Sequence, residues 1–124
     1  MEAGRELDAL IAAKIFGLQP RPIRIIGREV TNDVGTTKEY TMRDGREGVS
    51  ATALPRYSTD IAAAWEVVGD MLSRKNGHVD LSIEPDGVSC VFTSYEQDGE
   101  ALASTAPLAI CVTALKAVGY VPID

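Results

Sequence analysis

Val79-Asp80-Leu81-Ser82-Ile83-Glu84-Pro85-Asp86-Gly87-Val88-Ser89-Cys90-Val91-Phe92-Thr93-Ser94-Tyr95 decides the fold class of this chain. Val79, Leu81 and Ile83 alternate with Asp80, Ser82 and Glu84, the period of a strand with one face buried. Pro85-Asp86-Gly87 is a turn sequence, because Pro presets φ and Gly accepts backbone angles closed to other residues. The β-branched and aromatic run that follows returns as a second strand, so the segment reads as an antiparallel hairpin.

Upstream, Tyr57-Ser58-Thr59-Asp60 runs into Ile61-Ala62-Ala63-Ala64-Trp65-Glu66-Val67-Val68. This is a hydroxyl-bearing cap before an amphipathic helix, with the start predicted at Ser58 or Thr59. Ile61, Trp65, Val68 and Leu72 form one stripe, with Ala64 and Met71 beside it, and the stripe is predicted to face the core. Arg74, Lys75, Asn76 and Gly77 end the helix with basic residues and a glycine. Downstream of the hairpin, a polar loop through Asp98-Gly99 is expected to lead to Ser104-Thr105-Ala106-Pro107, a second capped start. That helix is predicted from Thr105 to Val118, with Gly119 as its stop and Pro122 beyond.

Toward the N-terminus, Ile23-Arg24-Ile25-Ile26 is β-branched, lies between Pro22 and Gly27, and reads as a short strand. Thr31-Asn32-Asp33-Val34-Gly35 and Arg43-Asp44-Gly45 are turn signals around Lys38-Glu39-Tyr40-Thr41-Met42. The region at about 28–52 therefore reads as an irregular hairpin or extended arm. Residues Glu2 to Phe16 place Leu7, Leu10, Ile11 and Ile15 at helical spacing before Gly17, an amphipathic opening helix. The order α-β-(β)-α-β-β-α lacks βαβ alternation, which predicts α+β with an antiparallel sheet.

The 124 residues, 45% of them hydrophobic and 24% charged, suit a single domain over 1–124 with a core that needs neither disulfide nor metal. Twelve Lys and Arg against 18 Asp and Glu leave a net charge of -6, which argues against duplex nucleic acid as a partner. A small anion in a local pocket remains compatible with that charge, since a few N–H groups and one arginine outweigh a modest global field. No apolar run reaches membrane-spanning length, and Glu2, Arg5, Glu6 and Asp8 interrupt the N-terminal apolar residues, so a soluble protein of the cytoplasm is expected. Cys90 and Cys111 lack metal-ligand spacing and read as buried free thiols. The lone His78 reads as a strand-end surface residue, and no metal is expected.

Three stretches carry a family resemblance. Ala3-Gly4-Arg5-Glu6-Leu7-Asp8-Ala9-Leu10-Ile11-Ala12-Ala13-Lys14-Ile15-Phe16-Gly17 resembles the opening helix of the phage ABA sandwich domain proteins. Tyr57 to Val68 and Ser104 to Ala117 are similar to the family's two other blocks, in the same order. The arm between Leu18 and Arg56 departs from the family's shorter linker. The resemblance implies a phage origin, hence the host cell's cytoplasm, and a sheet sandwiched between helices. It brings no catalytic residue set.

Enzyme signatures are absent too. Gly35-Thr36-Thr37-Lys38 does not follow the P-loop order, and no nucleophile elbow or dinucleotide fingerprint occurs. The chain is therefore expected to bind without turnover and without a cofactor. Phages encode small non-catalytic proteins that sequester nucleotide signals of host immunity, and a small acidic domain, expected to be a homo-oligomer, is compatible with such a sponge. On that reading the N-termini of the two capped helices hold phosphates. Arg5 or Arg56 adds charge-assisted bonds, and Tyr57 or Trp65 stacks on a base. The ligand-binding candidates are Arg5, Arg56, Tyr57, Ser58, Thr59, Asp60, Ser104 and Thr105. Each also has a structural reading, as cap, ion-pair partner or hydrophobic staple, with Trp65 read as core. The alternative is an interaction protein that docks on a host or phage protein through the 28–52 arm.

Overall fold

The computed structural model of the chain describes residues 2–25, 28–41, 47–74 and 76–120. In chain order its elements are α1 (Arg5–Lys14), β1 (Gln19–Ile25), β2 (Arg28–Thr41), β3 (Glu47–Ala53), α2 (Ile61–Ser73), β4 (His78–Glu84), β5 (Gly87–Thr93), β6 (Asp98–Ala103) and α3 (Ala106–Ala117). The fold is α+β, with an antiparallel sheet in the order β4-β5-β6 packed against helices as a sandwich. The predicted order of elements holds, with β3 and β6 filling it out.

The hairpin forms as its alternation requires. Val79 pairs with Phe92, Leu81 with Cys90 and Ile83 with Val88, so these six apolar residues of β4 and β5 share one face. Gly87 closes the turn at φ 148°, and a Cβ there would lie 2.5 Å from the Ala103 carbonyl oxygen. Val88, Cys90 and Phe92 are buried beneath the helices. Above them lie Ala109, Ile110, Cys111, Ala114 and Leu115 of α3, and the Thr113 hydroxyl donates to the Cys90 carbonyl at 3.1 Å. Leu7, Ile11 and Ala12 of α1 and Ala64, Val67 and Met71 of α2 complete the same core.

The segment expected as a polar loop at Asp98-Gly99 is strand β6, with Gly99 opposite Phe92. Glycine permits this, because a Cβ at Gly99 would meet the Thr113 carbonyl oxygen at 2.6 Å, so α3 lies directly on the strand. At the far end of α3, Gly119 at φ 88° places its N–H on the Lys116 carbonyl and that of Tyr120 on the Leu115 carbonyl. These are the two bonds of a Schellman stop, as the glycine foretold.

In the arm, β1-β2-β3 form a second antiparallel sheet. Thr31 to Gly35, expected as a turn, lie inside β2. The register shifts between Pro22 and Arg24 of β1, and residues 30–33 fall opposite that shift, so a bulge absorbs the Asn-Asp pair without reversing the chain. The strand expected at Ile23–Ile26 begins earlier, at Gln19, and Pro20 and Pro22 are accommodated because β1 lies at the edge of its sheet. The turn signal at Arg43-Asp44-Gly45 lies outside the described residues.

Candidate functional site

The 54–60 turn is tied to α1 by a buried carboxylate. Asp8 is 1% exposed, and its Oδ1 accepts the Ser58 backbone N–H at 2.8 Å and the Ser58 hydroxyl at 2.6 Å. Arg5 Nη1 donates to Asp8 Oδ2 at 3.0 Å while its Nη2 donates to the Leu54 carbonyl at 2.9 Å. The Gly4 N–H in turn donates to Ser58 Oγ at 2.9 Å. A buried carboxylate is tolerated only with such compensation, and here an arginine, an amide and a hydroxyl supply it. Ser58 is fully enclosed, so the Ser–Asp pair meets no substrate in this arrangement and acts as a clamp.

This clamp moves the start of α2. The helix begins at Ile61, and its cap is Asp60, whose side chain accepts the Ala62 N–H at 3.1 Å. Ser58, expected as a cap, has its amide and hydroxyl committed to Asp8. The N–H groups of Thr59 and Asp60 fold back onto the Arg56 carbonyl at 3.2 and 2.9 Å. The second cap is as predicted, with Thr105 Oγ1 accepting the Leu108 N–H at 3.4 Å.

Tyr57 is buried and stacks on Phe16, with centroids 5.3 Å apart and planes at 22°. Burial, with the charge of Glu66 and then Asp8 adding to it, pushes its hydroxyl up to about 12. It is thus an internal staple. Arg56, Thr59, Asp60, Ser104 and Thr105 are exposed, and among the described residues no hydrogen bond links the last two to the 56–60 turn. The eight candidates therefore divide: Arg5, Tyr57 and Ser58 build the junction, Arg56, Thr59 and Asp60 ride on it, and Ser104 and Thr105 stand at the start of α3.

Trp65 corrects the sequence reading. It is 53% exposed, as are Ile61 at 44% and Leu72 at 52%, and only Val68 of the predicted stripe is buried. The helix turns Ala63, Ala64, Val67 and Met71 inward instead, because the small alanines let α2 approach α3 closely. Asp8 was legible in part: it lies next to Leu7 and one turn before Ile11 and Ala12, on the buried side of α1.

Cys90 and Cys111 are buried free thiols. Burial raises both pKa values, with Asp8 and Cys90 adding to the effect at Cys111 and a Thr113 hydrogen bond opposing it at Cys90. His78 opens β4 exposed, 3.3 Å from Asp80 Oδ2. A depression of about 330 Å³ on β5 and β6 is lined by Val91, Phe92, Thr93, Asp98, Gly99 and Glu100. Its two carboxylates disfavour a phosphate there.

A family model for the phage ABA sandwich domain matches residues 9–115. The chain belongs to the phage ABA sandwich family. This phage ABA sandwich protein is also similar to the crystal structure of a phage protein from Bacillus cereus ATCC 14579. The two share 28% identity at a TM-score of 0.58, over 93% of this chain and 90% of that one. No curated protein matches the chain. No helix among the described residues is long and apolar enough to cross a membrane.

Proposed function

We propose that this phage ABA sandwich protein is a non-catalytic binder that sequesters a small nucleotide-derived signal of host immunity, such as a cyclic dinucleotide. The observation that supports it is the 56–60 turn at the positive end of α2, whose Arg56, Thr59 and Asp60 are exposed while Tyr57 and Ser58 anchor it from below through Asp8 and Phe16. Arg56 supplies an exposed cation and Thr59 a hydroxyl beside the helix terminus, the donor types that take a phosphate. The α3 terminus, with Ser104 and Thr105, offers fewer donors because Pro107 has no N–H. Preorganisation lowers the ordering cost of binding.

Thermal stability against cyclic dinucleotides, cyclic oligonucleotides and cyclic ADP-ribose isomers tests this. A ligand at about a hundred times its dissociation constant adds roughly 2.7 kcal/mol, a shift of several degrees. The expected result is a shift that Arg56→Ala removes, with intact ligand released on heating. An altered ligand means turnover, and no shift across the panel ends the nucleotide reading.

A second reading, docking on a host or phage protein through the 28–52 arm, is favoured by one feature. Among the described residues β3 stands at the edge of its sheet, the geometry that accepts an added strand. Deleting the 28–52 arm separates the two, since ligand binding survives it and docking does not.

A further inference from the structure

We propose that the outer face of α2 joins two copies of this chain about a two-fold axis, with the two α2 helices antiparallel. This assembly does not depend on the ligand reading above, although Asp60 belongs to both surfaces.

The face is apolar and open. Ile61, Trp65 and Leu72 are each about half exposed, with exposed Ala62 and Gly69 between them. Beside α2, Leu81 and Ile83 of β4 lie on the sheet face that the helices cover, yet are 36% and 85% exposed. Together these five side chains expose several hundred Å² of apolar surface, at the upper end of what a monomer shows to water. That area matches the apolar core of a standard interface of about 800 Å² per copy.

The sequence of α2 is complementary to itself reversed. In an antiparallel pair with the axis crossing at the level of Val67, residues equidistant from Val67 on the two copies face each other. Trp65 then meets Gly69 of the second copy, and Leu72 meets Ala62, a large side chain against a small one at each position. The space beside Gly69 is open, because a Cβ built there has no atom within 4 Å. Asp60 and Arg74 are also equidistant from Val67, so the exposed acid at one end faces the base at the other, twice over. Arg74 keeps its bonds to Asp70 and Gln97 at 3.0 Å, and its guanidinium has further N–H groups to give. Between Asp60 and Arg74 the exposed face carries one charge, Glu66, at its margin, so the net charge of -6 on each copy opposes association least here.

Sedimentation velocity across the micromolar range tests the pairing, with the emission of Trp65, the single tryptophan of the sequence, as a second readout. The expected result is a monomer–dimer equilibrium in which Trp65 emission moves to shorter wavelength as the dimer forms. Gly69→Leu fills that space and weakens association about thirtyfold or more. It leaves the helix intact, because the site is open in the monomer and leucine is the better helix former. Trp65→Ser weakens association to a similar extent. A monomer at every concentration overturns the proposal, and so does a dimer that Gly69→Leu leaves unchanged.

Discussion

The junction of α1 with the 54–60 turn and the outer face of α2 are neighbours in the chain and opposites in physics. At the junction a carboxylate and a hydroxyl are buried together, bonded to each other and, at the margin, to a partly exposed arginine. On α2, a tryptophan, an isoleucine and a leucine face water. The polar group is inside because its partners are there to meet it. The apolar groups are outside because α2 turns its small residues to α3. Burial here follows partners and packing distance, and polarity alone would have placed both regions the wrong way round.

The comparison is broken most severely at the junction. Asp8→Ala removes the acceptor for the Ser58 amide and hydroxyl and for Arg5, leaving buried donors unpaired, and is expected to cost about 3–5 kcal/mol. Ser58→Ala removes one hydroxyl and leaves the amide bond to Asp8, for a loss of about 1–2 kcal/mol. Urea unfolding of both variants checks the order. Equal losses would show that the hydroxyl, and not the carboxylate, holds the turn.

Alkaline pH sharpens the same contrast from the side of the interior. Tyr57, Cys90 and Cys111 all have raised pKa values in the folded chain, so above the ordinary thiol range the unfolded chain releases protons that the folded chain keeps. Their contribution to stability is full below that range and is lost as pH rises. For Tyr57 the window runs from 10.0 to about 12. While a single such group is ionised only when unfolded, the loss is about 1.4 kcal/mol per pH unit. Denaturation from pH 8 upward should therefore show falling stability, and Tyr57→Phe should flatten the fall above pH 10. An unchanged slope in that variant would place the loss elsewhere.

What the sequence made legible was local. The β4–β5 turn, the Gly119 stop, the Thr105 cap and the α+β class all depend on residues a few positions apart, and the structure has them as read. What it hid was set across the chain. Ser58 has a cap's chemistry, but Asp8, fifty residues away, takes both its donors, and Asp60 inherits the role. Asn32 and Asp33 have a turn's chemistry, but the ladder with β1 resumes on either side of them, at Glu29 and Val34, and carries the chain through as a bulge in β2. Of the candidate site, residue type was readable and availability was not, since Arg5, Tyr57 and Ser58 are spent on internal contacts that spacing does not reveal.

Trp65 is where the smallest stability effect belongs. Periodicity located the stripe of Ile61, Trp65, Val68 and Leu72 but not the side it faces, because α2 is apolar on nearly every face. A core tryptophan replaced by a small residue costs about 3–5 kcal/mol. At a half-exposed surface position the change costs about 1 kcal/mol. Trp65→Ser, measured by thermal melting at a protein concentration too low for association, is expected to fall in the second class. At high concentration the same variant loses whatever stability the second copy lends, because binding to the folded state alone raises apparent stability by mass action. The melting temperature of the native sequence should thus climb with concentration and that of Trp65→Ser should not. A large loss at low concentration would instead return Trp65 to the core and remove the distinction between the two regions.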